Sequence, residues 1–203
     1  AAISAPPPAP EVKKEEAAKI PKDLNIIFVS IDTLRADLGY MGYERPISPN
    51  IDKLAARAIV FERAYSLASY TGKSLGPMLI GKYGSETHRN WGHSNTFTKE
   101  DTFLAERLQK AGFRTVSVQA MGYFARGTGL ERGFDVVDTS AIPAEGSIKE
   151  MENSVSGDKL TDAALKQLAK PENTDKRFFL WVHYVDPHAD YARHKDIESF
   201  GNA

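Results

Sequence analysis

Residues Leu24 to Tyr43 read LNIIFVSIDTLRADLGYMGY. The stretch opens on a continuous apolar run, Ile26 to Ile31, rich in β-branched side chains, and the run stops at Asp32. It is far shorter than the roughly 20 residues a membrane helix needs. It predicts a strand buried on both faces, as in a parallel sheet. In open α/β sheets, ligands bind just beyond the carboxyl ends of the strands. An acidic side chain at that point can hold a divalent cation, or can simply cap the following turn. Position alone leaves both readings of Asp32 open.

Outward from this strand, the pattern alternates. Ser48-Pro49 starts a helix, with Ser48 as N-cap and Pro49 in the first helical position. Ile51, Leu54, Ala55 and Ala58 then recur at helical spacing. Ile59 to Tyr65 reads as a short strand or extended segment. Thr98 to Asp101 has the form of a capping box ahead of Phe103, Leu104 and Leu108. That helix ends at Ala111-Gly112, with glycine at the C-cap. Phe113 to Gln119 alternates as a strand, and Asp138 to Gly157 lacks periodicity and reads as a loop. Leu160, Ala163, Ala164, Leu165 and Leu168 mark a further helix. Arg177 to Val185, RFFLWVHYV, is another buried strand. Strands alternating with helices predict a mostly parallel sheet reached by right-handed crossovers.

The chain has 203 residues, enough for one domain with a real core. Its net charge of -1 gives no reason to expect a nucleic-acid partner. With no cysteine, disulfides, thiolate metal sites and a cysteine nucleophile are excluded. No stretch of eighteen apolar residues occurs, so no transmembrane segment is expected. Ala1 to Lys22, AAISAPPPAPEVKKEEAAKIPK, mixes alanine, proline and charge. It reads as a semi-rigid linker of the kind that joins an exported domain to an anchor, or as a plain disordered end. Residues 1–23 are therefore expected to be linker and 24–203 folded domain.

Ser69 to Tyr83, SYTGKSLGPMLIGKY, contains Gly72-Lys73-Ser74, which suggests a phosphate-binding P-loop. That motif requires a glycine five positions earlier, where Leu67 stands, and it follows the first strand of its unit. The fit is poor on both counts.

Several segments together resemble the sulfatase branch of the alkaline-phosphatase superfamily. They are SIDTLRADLGYMGY (30–43), PISPNIDKLAARAIVFERAYS (46–66), LIGKY (79–83), AGFRT (111–115), GLERGFD (129–135) and FFLWVHYVDPHADY (178–191). The resemblance covers roughly Asn25 to Tyr191, the N-terminal half of the family domain. It implies an α/β fold of alkaline-phosphatase type, a mostly parallel sheet with helices on both faces, present here as a partial domain. It implies that Asp32 is a metal ligand. Thr33 stands where relatives carry a second acidic residue, so this turn supplies at most one ligand. Counting back ten residues from Gly81 puts Thr71 at the nucleophile, at a helix N-terminus that favours anions. A hydroxyl beside a bound metal can be activated by coordination.

The sequence departs from that family in places. Sulfatases convert a cysteine or serine to formylglycine, and Thr71 is neither. A threonine nucleophile resembles the phosphotransferase relatives that build envelope polymers or add phosphoethanolamine, in which threonine carries a covalent phospho-intermediate. The arginine expected four residues later is Leu75; Lys73 is the candidate to supply the missing positive charge to the substrate. Gln119, Ala120 and Met121 occupy the region of a substrate-binding lysine. His88 matches a family histidine loosely, and neither it nor His93 is given a role. GLERGFD reads as structural, although Arg126 or Arg132 could face an anionic substrate.

His188 falls on a histidine that contacts the transferring group or protonates the leaving oxygen, work suited to an imidazole. His183 is expected to point into the core or behind the site, and Asp186 to orient His188 or begin the turn at Pro187. Asp190 replaces a proline. The family's remaining metal ligands lie on a later strand, in an S-D-H-G-like segment that this sequence does not contain. A single aspartate would bind a divalent ion weakly. The missing half, or a partner chain, is therefore expected to complete the site.

The implied function is a metal-dependent hydrolase or transferase of sulfate or phosphate esters. The metal would be Ca²⁺ in a sulfatase, or Mg²⁺, Mn²⁺ or Zn²⁺ in a phosphotransferase, and the location periplasmic or the cell envelope. A catalytically inactive binding or assembly module is the alternative.

Overall fold

The computed structural model describes residues 21–89, 95–121, 124, 127, 129–143 and 155–188. Most of the expected linker, together with His93, Arg126 and Asp190, lies outside the described residues.

The main sheet has four strands in the order β1 (Ile26–Ile31), β6 (Phe178–Tyr184), β4 (Arg114–Gln119), β5 (Val136–Asp138). All three pairings are parallel. Two short strands, β2 (His88–Arg89) and β3 (Asn95–Thr96), form a separate antiparallel ladder. The helices are α1 (Pro49–Ala55), α2 (Thr71–Ile80), α3 (Leu104–Lys110), α4 (Gly157–Leu168) and α5 (Pro171–Thr174).

The period of two along β6 sorts its side chains between two cores. Phe178, Leu180 and Val182 join Val116 and Val118 of β4 against Leu160, Ala163 and Ala164 of α4. Phe179 and Trp181 face the other way, against Leu75, Leu79 and Ile80 of α2 and Ala105 of α3. The sheet therefore carries helices on both faces, as expected. Around Trp181 an aromatic cluster gathers: Phe28 and Phe134 stack at 6.3 and 5.9 Å between centroids, and Phe124 meets it edge-on at 5.6 Å. Such pairs add about 0.5–1.5 kcal/mol each beyond the area they bury.

Three expectations need correction. β1 is not buried on both faces: Ile27 and Val29 are 57% and 51% exposed. The reason is topological, since β1 is the edge strand of the described sheet, and one of its long sides has no strand beside it among the described residues. Ile59 to Tyr65 forms no strand, and Ile59, Phe61 and Tyr65 are 86%, 78% and 83% exposed. No described element lies alongside to pair with it. Thr98 to Asp101 does not cap α3. Phe103 is the N-cap of α3 and its N–H donates to the Glu106 carboxylate at 2.9 Å. Asp101 instead accepts from Lys82 Nζ at 2.5 Å and from the Thr98 N–H at 2.9 Å. Ser48 is the N-cap of α1, with Pro49 behind it, but its hydroxyl donates to Asp52 and accepts from the Gly39 N–H, both at 2.9 Å.

The GLERGFD turn is structural. Arg132 donates to Thr98 O at 2.9 Å and Asp101 O at 2.8 Å, and pairs with Glu106 at 3.1 Å. Its guanidinium is thus spent on the start of α3 and does not face a substrate. Gly112 follows α3 with φ +87°, the left-handed conformation that its lack of Cβ permits.

Candidate active site at the strand ends

The carboxyl ends of the parallel strands carry the chemistry. The Asp32 N–H donates to Tyr184 O at 2.8 Å, extending the β1–β6 ladder by one residue. The chain then turns sharply. Thr33 takes φ +52°, a left-handed conformation that costs an L-residue about 1–2 kcal/mol. The turn leaves Asp32 at the strand end with its side chain only 10% exposed.

α2 arrives at the same place from the other direction. Its N-cap is Tyr70 and its first residue is Thr71, so Thr71 is not the cap. Thr71 Oγ1 donates to Asp32 Oδ2 at 2.6 Å, joining two residues 39 apart in sequence. Both line a cavity of about 370 Å³, together with Ser66, Ser69, Ser74 and His183. The helix N-terminus in this wall favours oxyanions, while Ser66 Oγ donates to Ala68 O at 2.8 Å and shares a hydrogen bond with Ser74 Oγ at 2.9 Å.

Behind Asp32 lies His183, 1% exposed, with Nε2 3.5 Å from Asp32 Oδ2. Its Nδ1 is 2.8 Å from Ser30 Oγ, and Trp181 Nε1 donates to the same Ser30 oxygen at 2.9 Å. Burial pushes the Asp32 carboxyl up, but the polar contact with His183 and the hydrogen bond from Thr71 outweigh it, helped by the charge interaction with His183 and His188. The net pKa lies below the usual carboxylate range.

The remaining candidates are placed as follows. His188 ends a turn closed by its own N–H to Val185 O at 2.8 Å, a turn that Asp186 begins. It lines a second cleft of about 480 Å³ with Arg35, Tyr43 and Ile47, which adjoins the first through Thr33 and Leu34. Lys73 does not line the Asp32 cavity. Two helical residues beyond Thr71 is about 200° round the axis, whereas three beyond is Ser74, which does line it. Leu75, at the expected arginine position, is a buried wall residue. His88 sits exposed on β2, away from both cavities. The residues that sequence reading missed are Ser30, Trp181 and the serines of the cavity wall. The one available signal was Ser30, a lone hydroxyl inside an apolar strand.

For a divalent cation, the described residues offer one carboxylate, one hydroxyl and a buried imidazole. Among them no group of three or more His, Asp or Glu side chains converges. A strand-end carboxylate suits the preference of hard cations for oxygen, but several such ligands are needed for a stable site. The described residues fit part of a cation site.

A parallel sheet between helix layers carries a carboxylate at the end of its edge strand, where it meets a hydroxyl at a helix N-terminus. The fold is shared with a solved structure described as a protein in the alkaline phosphatase superfamily from Vibrio parahaemolyticus, which superposes with a TM-score of 0.63 at 20% identity, over 90% of this chain and 45% of its own. A second solved structure, in complex with its substrate D-glucosamine-2-N,6-O-disulfate, gives a TM-score of 0.66 at 22% identity, over 84% of this chain and 36% of its own. The family model described as Sulfatase matches residues 24–201, and the chain belongs to the sulfatase family. A named relative is N-acetylglucosamine-6-O-sulfatase of Bacteroides thetaiotaomicron, 27% identical over 192 residues, which are 88% of this chain and 32% of the relative. The chain spans between 20% and 37% of the length of the first curated relatives it matches.

Proposed function

We propose that the complete protein is a metal-dependent hydrolase or transferase of sulfate or phosphate esters, with Thr71 as nucleophile and Asp32 as a metal ligand. The 2.6 Å hydrogen bond from Thr71 to Asp32, at a helix N-terminus inside a cavity, carries this reading. A divalent cation held partly by Asp32 would supply Lewis acidity to the ester oxygens and lower the pKa of the Thr71 hydroxyl. Asp32 Oδ2 orients that hydroxyl. The first turn of α2 receives the oxyanion. His188, in the adjoining cleft, is placed to meet the leaving group and give it a proton. Lys73 has no place in this scheme, because it lies outside the cavity. The threonine favours phosphoryl transfer and the family relatives favour sulfate esters, so both ester classes are retained. Export to the periplasm or cell envelope is part of the proposal, and no helix among the described residues is long and apolar enough to cross a membrane.

One observation favours a second reading, a binding module without turnover: among the described residues, no lysine or arginine lines the cavity that holds Thr71. The test is turnover of 4-nitrophenyl sulfate and 4-nitrophenyl phosphate by the full-length protein, with and without divalent metal. Thr71→Ala should abolish turnover and chelation should do the same. Unchanged turnover in Thr71→Ala would remove the nucleophile assignment, and absence of both turnover and metal binding in the native protein would establish the module.

A further inference from the structure

We propose that Trp181, Ser30 and His183 form a relay of hydrogen bonds that fixes the Asp32 carboxylate, so that His183 is a positioning residue for the site. The inference rests on Asp32 being a cation ligand, as proposed above.

The donor and acceptor inventory sets the direction of the relay. An indole N–H can only donate, and that of Trp181 donates to Ser30 Oγ at 2.9 Å. The Asp32 carboxylate facing Nε2 calls for a proton on that nitrogen, and the Ser30 hydroxyl then donates to His183 Nδ1, 2.8 Å away. A neutral imidazole that accepts at Nδ1 carries its proton on Nε2. That atom is buried, has no hydrogen-bond partner among the described residues and lies 3.5 Å from Asp32 Oδ2, which it faces as an electrostatic contact. Thr71 donates to the same carboxylate oxygen at 2.6 Å.

The backbone holds the relay in place. Parallel register pairs Ser30 with His183 and Phe28 with Trp181, putting all four side chains on one face. The Phe124 ring packs edge-on against the imidazole at 5.1 Å, and His183 is 1% exposed. Outer partners of this kind typically change metal affinity 10–100-fold when removed.

The test uses the full-length protein and two variants of one residue. The amide nitrogen of glutamine reaches the position of imidazole Nε2, whereas that of asparagine reaches only Nδ1. By calorimetry with Mn²⁺ as probe, His183→Asn should bind 10–100-fold more weakly than wild type, and His183→Gln should stay within about threefold of it. A merely structural histidine would not show this split. Equal affinity for wild type and both variants overturns the relay. Equal weakening in both variants also overturns it, because His183 then ligates the metal itself or acts by packing.

Nitrogen NMR of the imidazole in the metal-free protein decides the tautomer independently. The relay requires Nε2–H in wild type and a mixture of tautomers in Ser30→Ala; an Nδ1–H wild type overturns it. Should wild type bind none of Mn²⁺, Ca²⁺, Mg²⁺ or Zn²⁺, the reading of Asp32 as a ligand fails, and the tautomer still decides whether the relay exists.

Discussion

Replacing Gly133 by alanine tests the packing that seats the GLERGFD turn on α3. Gly133 has φ +82°, and a Cβ built on it would lie 2.6 Å from Ala105 C and from Glu106 Cα, and closer still to Glu106 N. These are backbone atoms, so no side chain can swing aside. They are also held from the other side, by the Glu106 bond to the Phe103 N–H and by the Arg132 bridge. The Gly133 carbonyl is engaged as well, accepting from Thr115 Oγ1 at 2.7 Å. The left-handed backbone costs alanine about 1–2 kcal/mol, and forced overlap in a packed site about 1–3 kcal/mol more. A loss of about 2–5 kcal/mol of stability is expected. Gly112→Ala is the control, because Gly112 has φ +87° and nothing within 4 Å of its added Cβ. It should lose only the backbone part, about 1–2 kcal/mol. Equilibrium urea unfolding of both variants in the full-length protein reads the difference. Equal losses in the two would show that the turn does not press on α3 and would refute the reasoning.

Two further predictions concern stability. Asp101 accepts from Lys82 and from the Thr98 N–H, and these bonds hold its carboxyl below the usual range. A lowered carboxylate pKa stabilises the fold above the unfolded value of about 3.9 and is lost as pH falls through the lower folded value. Asp101→Asn should therefore cost about 1–3 kcal/mol at pH 7, and thermal melts should show its gap to wild type closing below about pH 4; a pH-independent gap would contradict the assignment. Thr33→Asn should raise stability by up to about 1 kcal/mol, since asparagine tolerates the left-handed region better than a β-branched residue; a lower unfolding midpoint would mean that Thr33 makes compensating contacts.

Much of the architecture was legible because apolar periodicity is a local signal. β6 and α4 bury the faces that their spacing implies, whereas β4, read as alternating, is buried on both faces. What periodicity could not tell is which neighbours would be present. The apolar run of β1 fits a strand with partners on all sides, yet an edge position leaves Ile27 and Val29 half exposed. The segment around Phe61 failed as a strand for the same reason. At the site, family resemblance picked out Asp32 and Thr71, residues no local pattern could join across 39 positions. Lys73 was chosen for its charge, while helix geometry turned it away from the cavity. The partnership of Ser30 and Trp181 with His183 was not legible, because it is created by strand register, which a single sequence does not display.

The pairing of the edge strand also orders events in time. β1 precedes the other described strands in sequence, and its neighbour in the sheet is β6, whose His183 lies 153 residues after Ser30. At about 5–20 residues per second, synthesis leaves β1 without that neighbour for roughly 8–30 s. During that interval the apolar run Ile26–Ile31 has no native place to go, and the Asp32 turn cannot be held by Tyr184. The Asp32 corner therefore cannot assemble until β6 has been made. A nascent chain stalled before residue 184 should display β1 as a chaperone-binding segment, and release of that chaperone should coincide with emergence of β6.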